Sequence, residues 1–373
     1  MFYLLALFYF FYFAIVGIYI IFMPKVLAMV AYSPSEIGII FGAAPLVRFL
    51  LPFVFSRGRK LDARVFNLAI LVMFISSISF YFSLHSFYAL FISNIGLGIG
   101  MSLILPYIEI LALEVVGKER YGKVRLYGSV GFVLVALILV RYLSSPDVAL
   151  SYLLILASIT SLVAFIIVKI VGKTQEMKQD SKNDVKLLKH WKLWLSLMLM
   201  QVSFGAYYNF FTIYETAYGV TLDMTINLWV FGVIVEIFML FYQGKLLKLN
   251  LLYILEITTL SAVVRWMLLY LFPQNLVVLF FAQSLHALSF ALFYSAAISY
   301  LHQLYSSKVL AQQFFSGITF GLGGFVGAII FGYIYEYFSS YIFLVASLVA
   351  FASFIFIHLW RRGVTSKKTS FFY

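Results

Sequence analysis

Apolar residues in this chain come in long blocks, each ended by a short cluster of charge, a Pro/Ser turn or an Asn/Pro break. A hydrocarbon core about 30 Å thick takes roughly 20 apolar residues per helical crossing. Blocks of that length lie at roughly residues 3–30, 36–55, 65–84, 87–116, 126–143 and 148–171. Six more follow at roughly 191–217, 224–246, 251–271, 275–304, 311–337 and 341–360. The pattern predicts an all-α polytopic membrane protein of twelve transmembrane helices, with little chain left for a soluble domain.

The polar gaps alternate in character. Arg57, Arg59, Lys60 and Arg64 follow the second block, and Lys118, Arg120, Lys123 and Arg125 follow the fourth. Lys169, Lys173, Lys178, Lys182, Lys186, Lys189 and Lys192 surround the central gap. Lys245 and Lys248 follow the eighth block, Lys308 the tenth, and Arg361, Arg362, Lys367 and Lys368 the twelfth. Odd-numbered gaps offer only Lys25 and Arg141, so the positive-inside rule places both termini in the cytoplasm. The longest polar stretch, Lys173 to Lys189, predicts a cytoplasmic linker over 172–190 joining two pseudo-symmetric six-helix bundles, 1–171 and 191–373. Gly128, Gly131 and Phe132 in the fifth block recur as Gly321, Gly324 and Phe325 in the eleventh. Close helix packing explains that spacing, and so does a repeat of six-span halves.

Composition narrows the class. The chain is 64% apolar and only 11% charged, against roughly 25% charged in soluble domains. A net charge of +12 suggests nucleic acid at first, but the cations sit in short gaps and form no aromatic-interleaved groove. Without cysteine, disulfides, thiolate metal sites and cysteine nucleophiles are excluded. Met1 to Pro24 has neither a basic start nor a small-residue cleavage pattern, and reads as the first span rather than a signal peptide. Neither paired carboxylates, a metal-ligand cluster nor a nucleophile triad falls within one span or gap, so no metal, cofactor or enzymatic activity is expected.

Twenty-two of the 26 basic residues lie in the even-numbered gaps, which isolates the other four. Lys25 and Arg141 are close enough to the outer surface to snorkel. Arg48 and Arg265 are not: they lie about 4 Å and about 6 Å from the centres of their spans. A charge at that depth costs at least about 2.5–3.5 kcal/mol and requires a partner or a wet cavity. Glu236, mid-way along the eighth span, and His286 in the tenth lie at the same depth as Arg265. Three ionisable groups from three successive spans therefore predict one polar site for proton coupling, although a static ion pair that locks the helices fits the same positions. In the first half Glu109, three residues after Pro106, is expected to meet the side chain of Arg48, the two supplying polar contacts from the half opposite that site. Gly96, Gly98 and Gly100 follow no strand and form no nucleotide loop. Asn94, Gln201, Asn209 and Gln283 either line a cavity or join helices. Arg48, Glu109, Asn209 and Gln283 are the expected substrate contacts. Glu114, Glu256 and Glu336 read as interfacial charges.

These residues resemble the major facilitator superfamily, in particular the proton-symporter branch that includes phenylpropionate, nucleoside and oligosaccharide carriers. Tyr32-Ser33-Pro34-Ser35-Glu36-Ile37-Gly38 with Pro45-Leu46-Val47-Arg48 resembles the start of that branch's second span. Tyr121-Gly122-Lys123-Val124-Arg125-Leu126-Tyr127-Gly128-Ser129 resembles the start of its fifth. Glu236, Arg265-Trp266 and Leu285-His286-Ala287 fall where the branch carries its acid, arginine and histidine, which implies similar work in proton coupling. Ser289 stands where lactose permease has a second acid, and Ser56-Arg57 where the superfamily places an acid before its basic cluster.

The expectation is secondary active transport by alternating access, importing a small aromatic acid, sugar or nucleoside across a bacterial inner membrane with a proton as coupling ion. One proton crossing about 100 mV gains roughly 2.3 kcal/mol, about fifty-fold accumulation of a neutral solute. The expected partners are that small molecule and the lipid bilayer, with the monomer as functional unit. A proton-independent uniporter, or a non-transporting receptor or scaffold, is the alternative.

Overall fold

The computed structural model describes residues 1–56, 62–171 and 185–369. Arg57, Arg59 and Lys60, and positions 172–184 of the expected linker with Lys173, Lys178 and Lys182, lie outside the described residues. So do the side chains of Lys118, Lys367 and Lys368.

The blocks become helices: α1 Phe2–Met29, α2 Pro34–Ser56, α3 Ala63–Phe82, α4 Phe87–Gly117, α5 Arg120–Tyr142 and α6 Pro146–Val171. The second set is α7 Trp191–Ala217, α8 Leu222–Tyr242, α9 Leu251–Leu271, α10 Leu276–Leu304, α11 at 308–338 and α12 Ile342–Thr369. Ten stretches have the length and apolarity of a membrane span. One of them, Lys308–Val364, is broken at Phe338 (φ −141°) and holds both α11 and α12. The 27-residue α7 is long enough to cross but carries Ser196, Gln201, Ser203 and Asn209, which lower its apolarity. With these two adjustments the twelve-helix membrane fold holds among the described residues. Leu68, Ile155, Leu162, Phe241 and Val277 lie exposed on its outside, as side chains facing lipid do.

Local chemistry sets where the helices begin. At the start of α2 the Ser33 hydroxyl accepts from the Glu36 amide (3.3 Å) and the Glu36 carboxylate from the Ser33 amide (2.8 Å). This reciprocal pair satisfies two donors that a helix start leaves open. Asp62, Thr221, Asn250 and Asn275 cap α3, α8, α9 and α10 singly, each side chain accepting from a first-turn amide. Gly117, at φ +74°, takes the left-handed backbone that lets α4 end and α5 begin without a loop.

Contacts sort the helices into two groups. The α4–α5 segment packs on α1, α2 and α3, with α6 against α1 and α3; α12 packs on α7 and α9, α11 on α7, and α10 on α8 and α9. Across the groups, α2 lies along α11, the end of α1 lies on α7, and the α4–α5 segment touches α8. The α2–α11 seam is backbone on backbone: a Cβ at Gly332 would stand 2.8 Å from the Pro34 carbonyl oxygen. The recurring glycines do not play equivalent parts. Gly128 and Gly131 bring α5 onto Phe13 and Phe10 of α1, inside the first group, whereas Gly321 and Gly324 bring α11 onto Phe49 and Pro45 of α2, in the other group. Gly96 and Gly100 fit α4 against α3, and Gly98 fits it against Ala44 of α2, with the helix intact through all three.

An even number of crossings puts both termini at one end of the bundle, the near end; the other is the distal end. At the distal end the groups are bonded together: Lys25 Nζ to Thr216 Oγ1 (2.9 Å), Thr212 Oγ1 to the Ile21 carbonyl (3.0 Å) and the Ser35 amide to Glu336 (2.9 Å). Towards the near end α10 keeps to α8, α9 and α11, without substantial packing on α4 or α5.

Candidate functional site

Arg265, on α9, has no exposed surface and is held by neutral acceptors from α10. Its Nη1 donates to His286 Nδ1 (2.9 Å), with Ser289 Oγ at 3.4 Å, and its Nη2 donates to Gln283 Oε1 (2.8 Å). The Tyr207 hydroxyl of α7 donates to the same Gln283 oxygen (3.0 Å). The guanidinium carbon lies 4.3 Å from the Tyr207 ring centroid and 4.6 Å from that of Trp266, faces that attract a desolvated cation. Trp266 is fixed in turn by its indole N–H to Ser203 (3.2 Å).

This geometry decides the histidine tautomer. Arginine only donates, so His286 Nδ1 accepts and its proton resides on Nε2. Nε2 faces Glu236 Oε2 of α8 at 3.4 Å, longer than an ordinary N–H···O bond. The Glu236 side chain keeps 23% of its surface exposed against 7% for His286, so the carboxylate is the end of the chain that opens outward. Gly232, one turn before Glu236, leaves the room: a Cβ there would approach Gln283 Oε1 to 3.3 Å. Immediately after His286 the backbone of α10 widens into a π-helical turn, Ala287–Leu292, and the imidazole lies parallel to the Phe290 ring at 5.0 Å. Such turns recur at functional sites because they re-aim side chains within a helix.

The predicted convergence of Glu236, Arg265 and His286 is therefore found, with one refinement: among the described residues Arg265 has no carboxylate in ion-pair range and reaches Glu236 only through the imidazole. Gln283, expected at the substrate, is instead fully buried behind Arg265. Asn209 gives its amide N–H to the carbonyl of Gly205, one turn back on α7 (2.9 Å), and stays partly exposed.

The first group differs from expectation. Glu109 pairs with Arg125 of α5 (3.7 Å), not with Arg48. Arg125, assigned by sequence to a cytoplasmic gap, begins its span one turn inside α5, and its guanidinium lies 3.9 Å from the Phe13 ring centroid. Arg48 is exposed and, among the described residues, has neither a hydrogen bond nor an ion pair. It lies within electrostatic reach of Tyr12 and Tyr19 on α1 and of Tyr294 on α10, which places it on the space between the groups. Glu109 and Arg125 reach Tyr294 as well. Along α10 the residues His286, Phe290 and Tyr294 are four apart, one face of the helix, and Phe320 of α11 adjoins the last two rings at 6.4 and 5.7 Å. Of the spare amides, Asn94 is taken up: it accepts from Tyr19 Oη (2.6 Å) and donates to the Ile40 carbonyl.

Glu256 and Glu336 are more than interfacial charges. Glu256 accepts from His358 Nδ1 (3.0 Å) and Arg361 Nε (2.6 Å), fastening α9 to α12, and Glu336 holds the start of α2. Lys25 does not snorkel free but is bonded to Thr216. Sequence reading overlooked Glu215, which is fully buried near the distal end of α7. One acid two residues from a helix end looks interfacial, and only packing distinguishes it.

Comparison with known proteins agrees with this architecture. A "Probable 3-phenylpropionic acid transporter" of Escherichia coli is 29% identical over 371 residues, covering 93% of this chain and 94% of that protein. The nucleoside transporter NupG superposes with a TM-score of 0.77 at 14% identity, covering 97% of this chain and 98% of that one. A bacterial homologue of the human lysosomal transporter Spinster, solved inward-facing and occupied, gives 0.71 at 13% identity, covering 97% and 96%. FucP, a major facilitator superfamily transporter in the outward conformation, gives 0.61 at 16%, covering 96% and 98%. The model of the MFS_1 like family matches residues 2–346. These are transporters and not enzymes, and the chain is accordingly a multi-pass membrane protein and a secondary transporter. It belongs to the MFS_1 like family.

Proposed function

We propose that this transporter is a proton symporter that imports small monocarboxylates with an aromatic body, as a monomer in a bacterial inner membrane, with both termini in the cytoplasm and the distal end outside. The observation that carries the reading is the relay from Glu236 through the neutral imidazole of His286 to the buried Arg265. A carboxylate that is partly exposed and one imidazole away from a fixed cation has two accessible states. Protonated, it leaves the His286 N–H without an anionic acceptor; ionised, it is balanced by Arg265 through the ring. Movement of α8 against α10 changes which state is favoured. No cofactor enters this scheme, and the proton is the coupling ion.

Charge and shape support the substrate class. Glu109 neutralises Arg125 and Glu236 offsets Arg265, which leaves Arg48 as the surplus cation on the central space. A guanidinium holds a carboxylate with two parallel hydrogen bonds. Tyr19, partly exposed near Arg48, and the stripe from Phe290 to Tyr294 offer faces for an aromatic ring. The E. coli relative is named for 3-phenylpropionic acid, which has both parts.

The scheme fixes an electrical signature. A monocarboxylate moving with one proton carries no net charge, so accumulation follows the pH gradient, about tenfold per pH unit, and ignores membrane potential. In proteoliposomes clamped with valinomycin, 3-phenylpropionate accumulates under an inward-directed proton gradient. Glu236→Gln abolishes that accumulation but leaves substrate counterflow. Accumulation driven by potential alone, or undiminished in Glu236→Gln, overturns the reading; insensitivity to a protonophore points to uniport.

A further inference from the structure

Glu215 sits near the distal end of α7 with no exposed surface, and neither carboxylate oxygen has a hydrogen-bond partner. An ionised carboxylate taken out of water with nothing to compensate it is among the most costly groups a protein can bury, and such groups are found neutral or paired. No pairing is available here. The ionisable neighbours are Tyr214 on α7 itself, Tyr335 of α11 and, two turns inward, Tyr207, with Tyr218 just past the end of α7 beside the first two. From α1 the Lys25 ammonium is turned to the hydroxyl of Thr216, the very next residue. On α8 the Trp229 indole N–H donates to Thr212, three residues before Glu215 (3.0 Å), while Asp223 is exposed at the helix start; α12 contributes Phe343, which packs on Phe211 and Tyr214. Glu215 thus lies in an apolar and phenolic enclosure.

Two placements make it more than a tolerated polar group. It is next to the contacts that close the distal end, Lys25 with Thr216 and Thr212 with the Ile21 carbonyl, so separating α1 from α7 opens its surroundings to distal water. It also stands on the same face of α7 as Phe211 and Tyr207, four and eight residues back, about 12 Å from the tyrosine that bonds Gln283 behind Arg265. One rigid helix links the enclosure to the buried cation.

We propose that Glu215 is a second proton-carrying carboxylate, the one that exchanges with the distal compartment: it loads a proton from distal water when α1 and α7 part, and keeps that proton on its carboxyl oxygen while they are closed. The step is a proton transfer alone, water to carboxylate and back. It rests on the proton-symport reading and adds a site to it. The closed state described here is the loaded one, because closure around an ionised Glu215 would strand its charge. Proton loading thereby favours distal closure.

The test is Glu215→Gln in proteoliposomes beside wild type and Glu236→Gln, with 3-phenylpropionate as substrate. Glutamine keeps the shape of the protonated acid, so counterflow stays within about twofold of wild type. Accumulation under a pH gradient falls at least tenfold, and the infrared band of a protonated carboxylic acid in the wild-type protein is lost in the variant. Accumulation equal to wild type, or an unchanged band, overturns the proposal. Should the glutamine variant fail to fold, Glu215→Asp decides: it accumulates substrate with a displaced pH profile, and a profile identical to wild type overturns the proposal. Loss in Glu236→Gln with none in Glu215→Gln removes this inference and leaves proton symport standing. A wild type without proton-driven accumulation removes both.

Discussion

Replacing Arg265 by methionine separates a relay from a static ion pair. When one member of an ordinary buried ion pair is removed, the other is left as a naked charge and the loss is about 3–5 kcal/mol. Arg265 leaves no directly paired charge behind, because its described partners are neutral, His286 Nδ1, Gln283 Oε1 and Ser289 Oγ, and Glu236, one imidazole away, is partly exposed and can take a proton. Gln283 Oε1 keeps the Tyr207 hydroxyl, and Ser289 keeps its own bond to the Leu285 carbonyl. One acceptor, His286 Nδ1, is orphaned at about 1–3 kcal/mol, and the ring contacts with Tyr207 and Trp266 lose about 0.5–2 kcal/mol each. Against these losses stands the desolvation of a guanidinium with no exposed surface, several kcal/mol that the variant no longer bears.

The sum is a stability change within about 2 kcal/mol in either direction, a shift of a few degrees in the unfolding temperature of purified protein. Transport responds differently. Without the arginine donor the imidazole is free to take the other tautomer, its proton no longer faces Glu236, and proton-driven accumulation falls more than tenfold. Arg265→Lys keeps the charge but not the two-pronged fork that holds His286 and Gln283 together, and recovers only part of the activity. A fall of about 3–5 kcal/mol in Arg265→Met would refute the reasoning, because it would mean that Arg265 is the direct counter-charge of an acid and that the site is a lock.

Arg48→Gln weakens binding of 3-phenylpropionate at least tenfold, in line with about 1.5–3 kcal/mol for hydrogen bonds to a charged group, while leaving 3-phenylpropanol unaffected; ligand-induced thermal shifts read both. Lys25→Met or Thr216→Val removes one distal bond, worth about 0.5–1.5 kcal/mol, and moves the closed-to-open ratio about two- to tenfold towards distal opening. Labelling of a single cysteine introduced into the central space measures that ratio, and the chain has no cysteine of its own to interfere.

How far the sequence could be read follows the range of the interactions. Span count and helix ends depend on block length and on neighbours three or four residues away, such as Ser33 with Glu36, and these were legible. The shared depth of Glu236, Arg265 and His286 was legible too, since depth is a count of residues from a span end. Azimuth was not. Whether Glu109 meets Arg48 or Arg125 depends on how α2 and α5 rotate against α4, and the close fit of Gly131 to Phe10 on α1 sets that rotation for α5. Gln283 was read as a cavity residue for the same reason: it stands three positions before His286, and its side of α10 is known only once α9 is packed. Glu215 escaped notice because a charge near a helix end is ordinarily solvated, and what removes the water is packing by helices distant in sequence, α11 among them.

The energetics of closure connect these sites. At the distal end the groups are joined by hydrogen bonds from Lys25, Thr212 and the Ser33–Ser35 turn, and among the described residues no ion pair crosses between them. At about 0.5–1.5 kcal/mol each, the bonds together hold the distal end shut by a few kcal/mol at most. That is comparable to what the binding of a carboxylate at Arg48, or the loading of a buried carboxyl at Glu215, can supply, so either event is large enough to reverse the balance between the two ends. The α2–α11 seam, by contrast, runs from Pro34 and Gly332 at the distal end to Phe53 and Phe314 at the near end. Glycines along it bring the two backbones into direct contact. A weak latch at one end and a continuous seam between the groups are the combination that a rocking carrier requires: a strong latch would fix one state, and without the seam the halves would separate when the latch broke.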